Sequence, residues 1–195
     1  MTTTRAGDPT KTLIVIGVGN RLRGDDAAGL EVAERIRELR PDLSVHESDG
    51  DTAQLMDLWS NASLAIVVDA VQSESEAKPP VQGAGNPPLK RPPSRVVRFD
   101  FGASGPDAGL PLPAIFPRHV SSHSVGLAES IEMGAALGML PERMIVYGIE
   151  GRNFAYGAPV DPSVEQAIGR VTHDVLLDLA AEEVHGNKES GAVHA

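Results

Sequence analysis

The chain has 195 residues, a formal net charge of −10 with neutral histidines, 41% hydrophobic and 4% aromatic residues, and no cysteine. The length suits one core, and the negative charge disfavours nucleic-acid phosphates and leaves a basic or metal-bearing partner the better fit. Without thiols there are no disulfides or thiolate metal sites, so any metal must be held by His, Asp or Glu. Residues 1–11 lack an apolar signal-like core, and no apolar run approaches the ~18 residues of a membrane span, so a cytoplasmic, soluble protein with no membrane partner is expected.

Thr12 to Ile16 is a short, β-branched, continuously apolar run that predicts a strand covered on both faces. From Asp25 the apolar positions Ala28, Leu30, Val32, Ala33 and Ile36 follow a mostly helical spacing to about Leu39, with Pro41 as the stop. Leu43 to Glu47 is a second strand, Thr52 to Trp59 a helix with Met56 and Trp59 in the core, and Leu64 to Val68 a third buried strand ending at Asp69. Ser73 to Pro93 contains three Pro-Pro pairs and little to bury, and predicts a mobile surface loop.

Ser94 to Phe101 alternates in part and fits an antiparallel or edge strand, and a further Gly/Pro-rich loop leads to Arg118. Ser121 or Ser122 can cap a helix through Val125, Leu127, Ile131, Met133 and Leu137. Met144 to Ile149 is the last strand and Ser163 to about Glu183 the last helix. The expected organisation is a flexible N-terminus at 1–11, one domain at 12–185 with the Pro-rich loop at about 73–93, and a flexible tail at 186–195. Alternating strands and helices predict a three-layer α/β/α sandwich around a twisted, mostly parallel sheet of about five strands.

In such folds ligands sit beyond the carboxyl ends of the strands. Leu13 to Leu30, L-I-V-I-G-V-G-N-R-L-R-G-D-D-A-A-G-L, reads as strand, glycine turn and helix start. That geometry normally suits anions, yet Asp25 and Asp26 stand where a P-loop needs Lys and Ser or Thr, so a cation or polar group is the better guest. As a dinucleotide fingerprint the segment also fails, because Leu22 holds the third glycine's place.

Asp49 and Asp51 follow the second strand, Asp69 ends the third, and His123 opens a helix. Two carboxylates and an imidazole are competent ligands for a divalent transition ion and leave positions open for water or substrate. Each residue also has a plain structural role to weigh. Asp25 is the better candidate for the helix cap and Asp26 for chemistry; the structural role open to Asp69 is bonding its own turn, and those open to Gly17 and Gly19 are close packing and positive φ. His46, His119, His173, His185 and His194 are read as structural or solvated.

G-V-G-N-x-x-x-x-D-D-x-x-G after the first strand, D-A-V after the third, and S-x-H-S-V-G-L before the next helix resemble the nickel-iron hydrogenase maturation proteases, in order and over about Leu13 to Glu150. The resemblance implies an α/β/α fold and an endopeptidase that removes a short C-terminal peptide from the nickel-loaded precursor of a hydrogenase large subunit. It carries the family's metal-contacting acid, second acid and histidine onto Asp26, Asp69 and His123, with Asp26 and Asp69 as the catalytic candidates. The implied partner is the precursor, and the implied cofactor is the precursor's own nickel.

Two features depart from the family pattern: Asp51 replaces a glycine in the turn after the second strand, and Ser73 to Pro93 is an insertion. Without a G-x-S-x-G elbow or a cysteine, covalent nucleophilic proteolysis has little support. A non-cutting chaperone that senses nickel would keep the same three ligands, and a nucleotide-binding protein is the weaker alternative.

Overall fold

Successive residues of a strand face opposite sides, so a continuously apolar strand must be covered twice. The computed structural model describes residues 12–72, 93–102 and 122–191, with side chains for all of these except 122–125 and 186–191. The Pro-rich stretch except Pro93, the segment leading to Arg118 and the expected flexible N-terminus lie outside the described residues.

The described elements are β1 (Leu13–Val18), a 3-10 turn (Gly24–Ala27), α1 (Ala28–Leu39), β2 (Ser44–Ser48), α2 (Thr52–Trp59), β3 (Leu64–Gln72), β4 (Val96–Gly102), α3 (Ser122–Leu137), β5 (Arg143–Gly151) and α4 (Pro162–Gly191). The five strands form one sheet in the order β2-β1-β3-β5-β4. Its pairs are parallel except β4 with β5, where Phe99 faces Val146, so the partly alternating strand is the antiparallel edge strand.

The alternation sorts the core into two layers. Val15, Ile66, Val68, Ile145 and Ile149 cluster with Val32 and Ile36 of α1 and with Val164, Ile168, Val171 and Val175 of α4. Ile14, Ile16, Val67, Met144 and Val146 cluster on the other face with Leu55, Met56 and Trp59 of α2 and Leu127 and Ile131 of α3. The α/β/α sandwich is thus two hydrophobic layers sharing one sheet. Met133 and Leu137, expected on the apolar face of α3, are exposed, because they lie off the stripe set by Leu127 and Ile131.

The last helix starts at Pro162, with Asp161 Oδ1 accepting the Ser163 N–H at 2.8 Å as an N-cap, and it continues to Gly191, beyond the expected Glu183. The third strand does not end at Asp69. Its ladder with β1 stops at Gly17 and Val68, but its ladder with β5 continues from Asp69 opposite Gly148 to Gln72 opposite Gly151. Asp69 is therefore the first residue of β3 beyond the end of β1's ladder, and its β1-side edge opens at the point where the chain winds in opposite directions from β1 and β3.

α1 can lie close enough to the sheet to place the preceding turn there because of small residues at the contact. A Cβ on Gly29 would run into the carbonyl oxygens of both Val18 and Val68, and one on Gly17 would run into the Gly29 carbonyl. Gly19, at φ +145°, turns the chain out of β1 beside the Asp26 backbone, where a side chain would collide with the Asp26 carbonyl. Close packing and positive φ, the structural roles weighed for Gly17 and Gly19, are both present.

Candidate functional site

The 3-10 turn delivers two adjacent aspartates into the interior, both fully buried. In a 3-10 turn successive residues point about 120° apart, so the two carboxylates serve different neighbours. Asp25 is not a helix cap. The residue before α1 is Ala27, which has no side-chain cap, and the Asp25 carboxylate instead faces the segment after β5. Its Oδ2 accepts the backbone N–H groups of Arg152 and Asn153 at 2.8 and 2.9 Å, and its Oδ1 accepts that of Asp161 at 2.7 Å.

Asp26 approaches Asp69 of β3. The proximity registers electrostatically, since the Asp26 charge is one of the influences raising the Asp69 carboxyl. Arg23 Nη1 stands 3.7 Å from Asp26 Oδ2, a loose ion pair from one turn earlier. The Asp26 carbonyl accepts the Asn20 N–H at 3.2 Å, which ties the turn to the glycine corner after β1.

Asp69 is 1% exposed. Its Oδ1 accepts the Ala70 N–H at 2.8 Å, and its Oδ2 has no hydrogen-bond partner among the described residues. Burial pushes the carboxyl up to about 8; the Ala70 N–H opposes the rise and the Asp26 charge adds to it. A buried carboxylate oxygen without a partner is costly in an apolar interior, and in a strand-end crevice it is the feature expected of a group that works on something brought from outside.

Asp69 shares the sheet face of Val67, the face covered by α2 and α3. His123 lies in the first turn of α3, whose Gly126 stands over the Gly50 carbonyl in the β2–α2 turn; the His123 side chain lies outside the described residues. The structure therefore brings Asp26 and Asp69 together and puts the His123 backbone at the start of a helix on the same face. Among the described residues no cluster of three His, Cys, Asp or Glu side chains could hold a metal.

Beside the carboxyl ends of β1 and β2 is a cleft of about 290 Å³, lined by Gly19, Arg21, Leu30, Glu47, Ser48, Asp49 and Gln54. Arg21, to which the sequence reading gave no role, bridges Glu34 at 2.9 Å and Glu47 at 3.1 Å at its rim. The departure at Asp51 has a local cause: its side chain accepts the Gln54 N–H at 2.8 Å and caps α2, while the Gln54 side chain accepts the Ser48 hydroxyl at 2.6 Å. Asp51-x-x-Gln54 is a capping signature visible in the sequence. His46 accepts or donates to the Ser44 hydroxyl at 2.9 Å and His185 contacts the Ala181 carbonyl, in keeping with structural roles; His119 and His194 lie outside the described residues.

No protein-family model matches the chain. It is 26% identical over 171 residues to the hydrogenase 2 maturation protease of Escherichia coli K12, covering 86% of this chain and 90% of that one. Its fold matches the hydrogenase maturating endopeptidase HybD of E. coli with a TM-score of 0.61 and 25% identity, over 88% of this chain and 93% of that chain. The solution structure of an endopeptidase from E. coli matches at TM-score 0.65 and 22% identity, again over 88% and 93%. The [NiFe] hydrogenase maturation protease HybD of Thermococcus kodakarensis matches at TM-score 0.60 and 18% identity, over 87% and 99%. The last two likenesses bear on the fold.

Proposed function

We propose that this chain, which belongs to the hydrogenase maturation protease family, is an endopeptidase that removes the C-terminal peptide from the nickel-loaded precursor of a nickel-iron hydrogenase large subunit. The observation that carries the reading is the pair of buried carboxylates where β1 and β3 part, with Asp69 Oδ2 left without a hydrogen-bond partner among the described residues. Among the described residues no helix is long and apolar enough to cross a membrane.

The residues fit a divalent nickel ion brought in by the precursor. Asp26, Asp69 and His123 would contact it, an oxygen and imidazole set suited to such an ion. Nickel so held would polarise the scissile carbonyl or lower the pKa of a bound water, or would serve only as the handle that places the bond. The chain's own groups do the rest. The Ala70 N–H fixes the Asp69 carboxyl through Oδ1 and leaves Oδ2 to face the substrate. Burial raises that carboxyl in the metal-free chain, and a cation arriving with the substrate would draw it back to the charged form, the form that can accept a proton from an attacking water. Asp26, held by its backbone on Asn20, supplies the second carboxylate. Burial excludes competing water and strengthens every charge interaction in the site.

The test is mass spectrometry of the precursor's C-terminus after incubation with the protein, using nickel-loaded and nickel-free precursor. Shortening of the loaded form alone is expected. A loaded precursor that binds and keeps its full length overturns the endopeptidase reading in favour of a non-cutting maturation chaperone.

A further inference from the structure

Asp25 is the most heavily bonded carboxylate around the site, and neither capping nor the proposed chemistry uses it. Its three acceptor bonds come from two separated points of one segment, Arg152 and Asn153 at its start and Asp161 at its end. The turn's backbone adds a fourth link, the Asp25 N–H donating to the Asn153 carbonyl at 2.9 Å. Asp161 is also the residue whose side chain caps α4, so Asp25 fixes the loop after β5 and the start of the last helix together. One residue later, the Asp26 carbonyl accepts the Asn20 N–H, and that corner is itself tied to the segment by the Gly157 N–H on the Leu22 carbonyl at 2.7 Å. The turn that carries Asp26 is thus clamped between two supports, and Asp25 is one of them.

We infer that Asp25 is a positioning residue: its carboxylate, bonded to the Arg152–Asp161 segment, sets the place of the adjacent Asp26 carboxylate relative to Asp69. The role assigned to Asp26 rests on the endopeptidase reading above; the mechanical coupling does not. Asp25→Asn keeps the size but turns one accepting oxygen into a donor, so that at least one of the three N–H groups faces an N–H₂. The turn then loses its hold on the segment, and a shift of about 1 Å in a reacting group is enough to slow a reaction ~10²-fold.

The experiment uses the full chain as wild type, Asp25→Asn and Gly151→Ala. The second variant leaves the carboxylate intact but puts a methyl 2.8 Å from the Asp25 Cβ and 2.7 Å from the Phe154 ring, displacing Asp25 from behind. Amide hydrogen exchange is read at Asn153, Asp161 and Asn20, with Ile16 and Val67 as core references, and cleavage of nickel-loaded precursor gives kcat and KM. The expected result is exchange at least ~10-fold faster at Asn20 as well as at Asn153 and Asp161 with the core unchanged, and kcat lower by ~10 to 100-fold with KM within about 3-fold.

Because the Gly157 N–H on the Leu22 carbonyl at 2.7 Å also ties this corner to the segment, Asn20 is read in Asn153→Ala as well. That variant removes the acceptor of the Ala155 N–H inside the segment and keeps every Asp25 bond; equally fast Asn20 exchange there overturns the inference. Faster exchange at Asn153 and Asp161 with Asn20 unchanged overturns the inference, as does wild-type kcat in a variant with a loosened segment. If Asp25→Asn does not fold, Gly151→Ala decides by the same criteria. A wild-type protein that cuts no precursor overturns the endopeptidase reading instead, and the Asn20 exchange still decides the coupling.

Discussion

Among the described residues, buried carboxylates occur in two regions and meet opposite fates. At the β4–β5 edge, Asp100 accepts from Arg98 Nη2 at 2.9 Å and from Arg143 Nε and Nη2 at 3.0 and 2.7 Å. Burial works against its charge, but Arg143 and Arg98 outweigh burial and hold the carboxyl below its ordinary range. Asp178 and Glu182 of α4 complete the network through Arg98, Tyr147 and Arg143 and fasten the last helix to the β4–β5 pair. At the β1–β3 ends, Asp69 is as well covered from solvent but lies deeper and meets another acid, and its carboxyl rises to about 8. The first region carries its own cations and is finished within the fold. The second holds the loose Arg23 ion pair on Asp26 but leaves Asp69 Oδ2 without a hydrogen-bond partner among the described residues, and in the proposed reading a cation arriving with the substrate would complete it.

The comparison breaks most directly through Asp69. Asp69→Asn is expected to lower cleavage of nickel-loaded precursor by about 10³-fold or more, the scale of losing a group that acts on the reacting atoms, while a folded Asp100→Asn cuts at close to the wild-type rate. Equal losses in the two variants would mean that burial, and not the unpartnered Asp69 oxygen, marks the site. The next effect runs the other way. Arg143→Ala leaves the buried Asp100 with half its cationic partners and is expected to cost roughly 3 kcal/mol of unfolding free energy in urea titrations, with kcat per folded molecule unchanged.

The two regions also impose opposite pH slopes on stability in the metal-free protein. Asp69 has a folded-state pKa near 8, above its value in the unfolded chain, so the native state holds a proton that the unfolded state releases. Its contribution is fully present below about pH 4, declines as pH rises, and is gone above about pH 8. Between pH 5 and 7 that amounts to about 2–3 kcal/mol, at ~1.4 kcal/mol per unit. Asp100, with its pKa lowered, contributes above the unfolded value and loses that contribution as pH falls. Urea midpoints of wild type and Asp69→Asn at pH 5, 6 and 7 separate the terms: the difference between the two proteins should shift in favour of the variant as pH rises. Parallel curves would remove Asp69 from the account.

The sheet was legible because its information is local. Leu64 to Val68 is apolar without interruption, and α1 and α4 repeat their apolar residues at helical spacing. Asp69 misled as a stop because a charged residue inside a strand looks like its end, whereas the longer partner β5 carries the ladder three residues further, to Gln72 opposite Gly151. The nearness of Asp26 and Asp69 was legible only from the strand-end rule and the motif order. The strand order that makes them neighbours is set by packing, and so is the depth of their burial. The role of Asp25 was hidden altogether, since its partners lie 127 to 136 residues away and an acid before a helix looks locally like a cap.

Asp51 is the converse case, and it gives the smallest test. Placed beside Asp49 after β2, it has the sequence position of a crevice acid, yet its carboxylate is committed to the Gln54 N–H and the start of α2. Asp51→Ala should lower stability by about 1 kcal/mol, the usual value of an N-cap, and Asp51→Ser should recover most of it, because a serine hydroxyl can accept the same N–H. Neither change should alter kcat for nickel-loaded precursor. A variant of normal stability with slowed cleavage would place Asp51 with Asp26 and Asp69; lost stability that serine restores leaves it with Asp100, an acid whose partner is supplied by the fold.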